Sequence, residues 1–186
     1  MKGADNPVRV PAMSATLESV QADELDIDAL YSAHAAFLGR VIQKLAGNGA
    51  VEDVLQEAFI IAWKKRATLR RGAPVRPWLY GIAANLAKNH RRGLFRFLRA
   101  KERFSLEPPA PMGAPGDALE KAEARARVHA ALAKLPFKQR EVFVLFEIEE
   151  LEGNVIAEMV GAPIGTVWTR LHHARKHFTT SMKESG

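Results

Sequence analysis

The chain contains no cysteine. That excludes disulfides, thiolate metal sites and cysteine nucleophiles together, and it fits a reducing compartment, so a cytoplasmic location is expected. Long apolar runs are also missing. The stretch "EAFIIAW", Glu57 to Trp63, is far too short to cross about 30 Å of hydrocarbon. Residues 1–20 lack the apolar segment of a signal peptide. No membrane insertion is expected. Strand-like alternation is absent, as are a P-loop, a nucleophile elbow, paired catalytic carboxylates and any Glu-x-x-His. The expectation is therefore a protein that is not an enzyme and carries no cofactor and no metal.

Hydrophobic residues make up 47% of the 186 positions, enough for packed cores, and 26% are charged, as in a soluble protein. Lys and Arg number 27 against 21 acids, a formal +6. The excess is unevenly spread. Lys64 to Arg103 is dense in bases and poor in acids. Phosphate backbones are the usual partner of such a stripe, and membrane surfaces come next.

Helical spacing dominates. Residues 1–22, with Pro7 and Pro11, read as a disordered tail. Residues 23–100 form a first helical block. There Leu30, Phe37, Leu38, Val41, Ile42 and Leu45 fall on one helix face, and Gly47 and Gly49 stop it. In "VEDVLQEAFIIAWKKR", Val51, Val54, Leu55, Ala58, Phe59, Ala62 and Trp63 face one way, while Glu52, Asp53, Gln56 and Glu57 face the other. "ATLRRGAPV" reads as a loop. A helix restarts at "RPWLYGIAANLAKNHRR", where Pro77 is tolerated in the first turn. Residues 101–118 carry Pro108, Pro109, Pro111, Pro115, Gly113 and Gly116 and read as a tether. Residues 119–182 form a second block. The predicted fold is all-α: two small helical domains joined by a flexible Pro/Gly-rich linker.

The second block ends in "IAEMVGAPIGTVWTRLHHARKHF". Gly161 and Pro163 break one helix, and another begins near Thr166. Ile156, Val160, Val167 and Leu171 make an apolar seam, with Ala157 where the backbones approach. That is the pattern of a helix-turn-helix. Its second helix is expected to present Trp168, Thr169, Arg170, His172, His173, Arg175 and Lys176 outward. The bland reading is a helical hairpin with a solvated basic face. His173 and His177 lie one turn apart, but such a pair on a basic helix is ordinarily solvated rather than metal-binding.

Three stretches together, "VEDVLQEAFIIAW", "PWLYGIAANLAKNHRR" and "LPFKQREVFVLFEIEELEGNVIAEMVGAPIGTVWTRLHHAR", resemble bacterial RNA polymerase sigma factors of the sigma-70 family, extracytoplasmic-function class. The match covers about Leu25 to Arg92 and Leu119 to Phe178, with the tether between. The resemblance implies a transcription initiation factor with core RNA polymerase and promoter DNA as partners, and an anti-sigma factor that masks it. It implies that Asp53, Gln56 and Glu57 dock on the clamp helices of the large polymerase subunit. It places −10 recognition and melting at the loop with Arg70 and Arg71 and at Asn85, Lys88, Asn89, Arg91 and Arg92. Asn reads base edges there, while Lys and Arg hold phosphates. Trp78 and Tyr80 are candidate stacking platforms, although Trp78 reads first as core. The resemblance places −35 recognition at Thr166, Trp168, Thr169, Arg170, His172, His173, Arg175 and Lys176.

Two departures from the family pattern stand out. The positions of Trp168 and His173 are commonly basic in relatives. The first reader helix usually opens with a Ser or Thr cap and a nearby Tyr, where this chain has Glu152 and Gly153. Two other functions fit parts of the pattern: a helix-turn-helix regulator acting without polymerase core, and a helical module whose basic face binds acidic protein or lipid.

Overall fold

The computed structural model describes residues 26–70, 72–102 and 117–184. The tail expected at residues 1–22 and nearly all of the expected linker lie outside the described residues. The all-α expectation holds: seven α-helices carry the described chain, with short 3-10 and π-helical turns between them.

The first unit is α1 (Ile27–Ala46), α2 (Val51–Lys65) and α3 (Val75–Glu102). Asp26 caps α1, its carboxylate accepting from the Asp28 amide at 2.9 Å. Gly47 ends α1 at φ +102, a value few other residues adopt. Glu52 and Asp53 in the first turn of α2, and Lys64 and Lys65 in its last, both complement the helix dipole. Arg66 stacks its guanidinium 4.1 Å from the Trp63 ring. Helical spacing places Trp63 on the apolar face, yet it is 45% exposed, because Val54, Ala58, Phe59 and Ala62 already fill that side. At 28 residues α3 is about 42 Å long. Among its described side chains the last buried one is Ala87, and Leu94 to Phe97 are all exposed, so this stretch overhangs the core.

The second unit is α4 (Asp117–Lys134), α5 (Phe137–Phe143), a π-helical segment (Val144–Ile148), α6 (Gly153–Val160) and α7 (Ile164–Lys183). Glu150 turns the chain between the π-helical segment and α6 at φ +53. Gly161 ends α6 in the left-handed region, φ +59, and the Ala162 amide donates back to the Ala157 carbonyl at 3.0 Å. Pro163 then opens α7.

The two units do not stand apart. Their buried side chains form one continuous interior that includes Leu38, Leu45 and Leu79 of the first and Leu132, Leu145 and Leu171 of the second. Arg140, 1% exposed, fastens the seam. Its guanidinium donates to the carbonyls of Leu132, Ala133 and Leu135 at the end of α4, and to Leu45 near the end of α1 at 2.9 Å. The last carbonyls of a helix have no partner within it, and a five-donor fork satisfies several at once. Arg40 adds a two-oxygen ion pair with Glu149, at 2.8 Å from its closer nitrogen. The outer face of α7 is left open to solvent by this packing.

Candidate nucleic-acid interface

Three surfaces hold the residues singled out in the sequence. On α2, Asp53, Gln56 and Glu57 are all exposed and point the same way. Beside them lies a groove of about 580 Å³ lined by Ile27, Tyr31, Leu55, Phe59, Ile60 and Trp63, with Glu52 and Gln56 on its rim. Tyr31, Ile60 and Trp63 are each close to half exposed. The acidic face follows from the sequence pattern but this groove does not, since helical spacing places Trp63 on the apolar face with the core residues. An apolar trough with Glu52 on its rim and the carboxylates of Asp53 and Glu57 exposed on the same helix suits an amphipathic helix with basic flanks.

On α3, Asn85, Asn89 and Arg92 are exposed and Lys88 is half-buried. They recur at helical spacing and form one stripe. Arg96, one turn beyond Arg92 and exposed, extends it. Arg91 faces elsewhere: it is half-buried, its guanidinium pKa is lowered by that burial, and its Nη2 donates to the Ala133 carbonyl of α4. Arg70 is exposed in the loop ahead of α3, where Gly72 takes φ +75 and Leu69 anchors the chain in the core. Arg71 lies outside the described residues. Trp78 is half-buried against the core, and Tyr80 is sealed at 1% exposure with its hydroxyl on Glu141, so Tyr80 presents no face for stacking.

On α7, Val167, Leu171 and Ala174 point inward. The opposite side presents Thr169, His172, His173 and Lys176, all exposed. Thr169 turns its hydroxyl back to the Gly165 carbonyl, and the His172 and His173 rings meet edge to face at 5.5 Å. Thr179, Thr180 and Lys183 continue the face and, with His172, Arg175 and Lys176, line a shallow groove. Sequence reading stopped before these three, although the spacing from Lys176 to Lys183 is two helical turns. Thr166 is half-buried. Arg170 departs from the outward placement expected of it: it is half-buried with one shielded Nη1 atom, because its position turns toward the flank of the bundle. His177 pairs through Nδ1 with Gln139 at 2.8 Å rather than with His173. No group of three or more potential metal ligands occurs among the described residues.

The remaining residues form a flank. Trp168, 45% exposed, lies against the backbone of Gly153, and its ring meets Phe146 edge to face at 5.5 Å. A Cβ at position 153 would stand 2.5 Å from the Trp168 ring. Two of the departing positions are therefore linked: the helix that lacks a side chain at 153 makes room for the large one at 168. Arg175 sits 5.4 Å over the Phe146 ring, and its Nε donates to Glu147 at 2.6 Å.

Comparison with known proteins gives the family of both units. Residues 30–97 match the model of sigma-70 region 2, and residues 125–178 match sigma-70, region 4. The RNA polymerase sigma-H factor of Pseudomonas aeruginosa is 32% identical over 147 residues, 75% of this chain and 76% of the relative. The ECF RNA polymerase sigma factor SigL of Mycobacterium tuberculosis is 32% identical over 160 residues, 85% and 89%. Among solved structures, CnrH in complex with the cytosolic domain of CnrY superposes with a TM-score of 0.66 at 22% identity, over 89% of this chain and 95% of that one. The sigma factor RpoE of Bartonella quintana, in complex with the anti-sigma factor NepR, gives 0.61 at 22%, over 85% and 97%. At that identity the likeness is one of fold. No described helix is long and apolar enough to cross a membrane.

Proposed function

Because the chain belongs to the extracytoplasmic-function class of sigma-70 RNA polymerase sigma factors, a class of transcription initiation factors, we propose how its surfaces divide that task. The α2 groove and its acidic rim dock on core polymerase through Asp53, Gln56 and Glu57. The loop with Arg70 and Arg71 and the α3 stripe engage the −10 element. Opening a duplex there costs a few kcal/mol of unstacking, which capture of a displaced base offsets. The outer face of α7 reads the −35 element. The protein works in the cytoplasm, beside the polymerase, and an anti-sigma factor covers the same docking faces until a signal releases them.

One observation carries this reading. An apolar, acid-rimmed groove and two basic stripes sit on one chain, in the two regions that match sigma family models. A regulator acting without polymerase has no use for the groove. Two weak contacts on one chain also reinforce each other, since the second becomes intramolecular.

The two units must part to do this. Elements centred about 25 base pairs apart, as their names state, are separated by roughly 85 Å of B-form duplex. A compact chain of this length has a radius of gyration of about 16 Å. The packed arrangement cannot bridge both elements, so the seam at Arg140 opens on the promoter.

The test is assembly and run-off transcription with core polymerase on a promoter library. The chain should co-elute with core on gel filtration, and Asp53→Arg with Glu57→Arg should lower core affinity while helix content stays unchanged. Sequence-specific promoter binding by the chain alone, without core association, would instead identify an ordinary helix-turn-helix regulator.

A further inference from the structure

The flank of α7 holds a carboxylate that neither the docking face nor the DNA-facing stripe accounts for. Glu147 belongs to the π-helical segment, on a different element from the reading helix. Its Oε1 accepts from Arg175 Nε at 2.6 Å, with the two side chains 33% and 54% exposed. A carboxylate beside a DNA-binding helix repels phosphate, so a surface built only to hold the backbone would do better without it. The bond it makes is specific in another way. It occupies Nε alone, and neither Nη atom makes a hydrogen bond among the described residues. The Phe146 ring lies within cation–π range of the Arg175 guanidinium, 5.4 Å from its centroid to the Cζ, and Trp168 packs edge to face against Phe146 in turn. Arg175 is 54% exposed and borders the same shallow groove as His172 and Lys176, on the open side of α7.

We propose that Glu147 is a positioning residue that makes Arg175 a base reader rather than a phosphate clamp. This rests on the assignment of α7 to −35 recognition. A guanidinium held by Nε beside an aromatic ring can present its two Nη donors together. That end-on pair matches O6 and N7 of guanine in the major groove, the one base edge with two adjacent acceptors. A flexible Arg would reach any nearby phosphate and carry no sequence information. Fixing the fork beforehand lowers the side-chain entropy lost on reading.

The experiment uses holoenzyme made from the full chain and core polymerase, presented with promoter fragments carrying a randomised −35 element. Bound fragments are sequenced. Wild type should favour guanine at one position. Arg175→Ala should erase that preference, and Glu147→Ala should erase the same one, each by roughly 5- to 150-fold in relative affinity. The double variant should lose no more than either alone. Glu147→Gln keeps an acceptor of the same shape and should retain part of the preference; it decides the matter should Glu147→Ala fail to fold. Glu147→Ala that binds every sequence more tightly would overturn the proposal, since Glu147 would then merely compete with phosphate. So would a preference that survives Glu147→Ala, or uniform weakening of all sequences. A wild-type holoenzyme indifferent to the −35 library would overturn the −35 assignment itself, and this inference with it; preference kept in the variant overturns this inference alone.

Discussion

The Tyr80 hydroxyl and the Glu141 carboxylate meet at 3.1 Å inside the seam between the two helical units, each almost wholly shielded from water. Lys138 holds the other carboxylate oxygen at 3.2 Å. Burial first, and then the charge and hydrogen bond of Glu141, hold the ionisation of Tyr80 well above its ordinary value of 10.0. Both ends of that contact have to be re-solvated when the units part.

Below about pH 10 the Tyr80 proton is bound in folded and unfolded chain alike, so the residue gives stability no slope. As pH rises past that point the unfolded chain loses the proton while the folded chain keeps it. The unfolded state then binds fewer protons, and stability falls with pH. Tyr80→Phe should flatten this alkaline decline. At neutral pH it should cost about 1–3 kcal/mol, because a buried carboxylate oxygen loses its donor. Urea unfolding measured across the alkaline range, with tyrosinate absorbance alongside, checks both. Equal alkaline slopes in the two proteins would remove Tyr80 from the linkage.

Separation of the units is measurable because the chain lacks cysteine. Introduced thiols at exposed Lys65 and Glu158, one in each unit, would be the sole labelling sites. In the free protein the dyes should transfer energy efficiently, given a radius of gyration of about 16 Å for a compact chain of this size. Addition of core polymerase and promoter should collapse the transfer. Transfer that stays high in a transcribing complex would mean the seam never opens.

The overhang of α3 leads to a prediction about salt. Arg96 continues the stripe of Asn85, Lys88, Asn89 and Arg92 beyond the core, where it is free to lie along a duplex. If it holds one phosphate, Arg96→Ala should lower holoenzyme affinity for every promoter alike and make the logarithmic salt dependence shallower by about 0.9. Core affinity should not change. A loss confined to some promoters would show Arg96 reading bases, and an unchanged slope would place it off the DNA.

Much of this was legible in the sequence, for reasons that can be named. The buried faces of α1 and α2 follow from apolar spacing, and Leu30, Leu38, Val41, Ile42, Leu45, Val54 and Ala58 are all buried. The turn at Gly161 and Pro163 follows from local chemistry: one needs positive φ and the other cannot continue a helix. What stayed hidden depends on partners distant in the chain. Arg140 reads as a surface base within "FKQREVF" until α1 and α4 bring it four carbonyls. Arg91 sits among DNA-facing residues by spacing, yet turns to Ala133, 42 positions away. Trp63 could not be told from core by period alone, since a docking groove is apolar too. The pairing of Glu147 with Arg175 crosses 28 positions and leaves no local mark.

The last prediction concerns Gly153 and Trp168. In isolation, alanine for glycine in the first turn of α6 should help, since Ala is favoured over Gly in a helix by roughly 0.8–1 kcal/mol. The structure requires the opposite. The new Cβ would lie 2.5 and 2.6 Å from two ring carbons of Trp168 and 3.0 Å from Ile164 Cδ1. The indole cannot simply slide away, because Phe146 blocks it edge-on at 5.5 Å. Gly153→Ala should therefore destabilise the second unit by about 1–3 kcal/mol, the usual cost of overpacking. Trp168→Ala removes the two closest contacts and leaves only Ile164 Cδ1 at 3.0 Å, the end of a flexible side chain that can give way, so in that background Gly153→Ala should be neutral or stabilising. The coupling from the double-mutant cycle should be of the order of 0.5–3 kcal/mol. Thermal unfolding of the four proteins gives it directly. A cost for Gly153→Ala that persists without the indole would show that the helix start needs glycine for its backbone, and that the pairing with Trp168 is incidental.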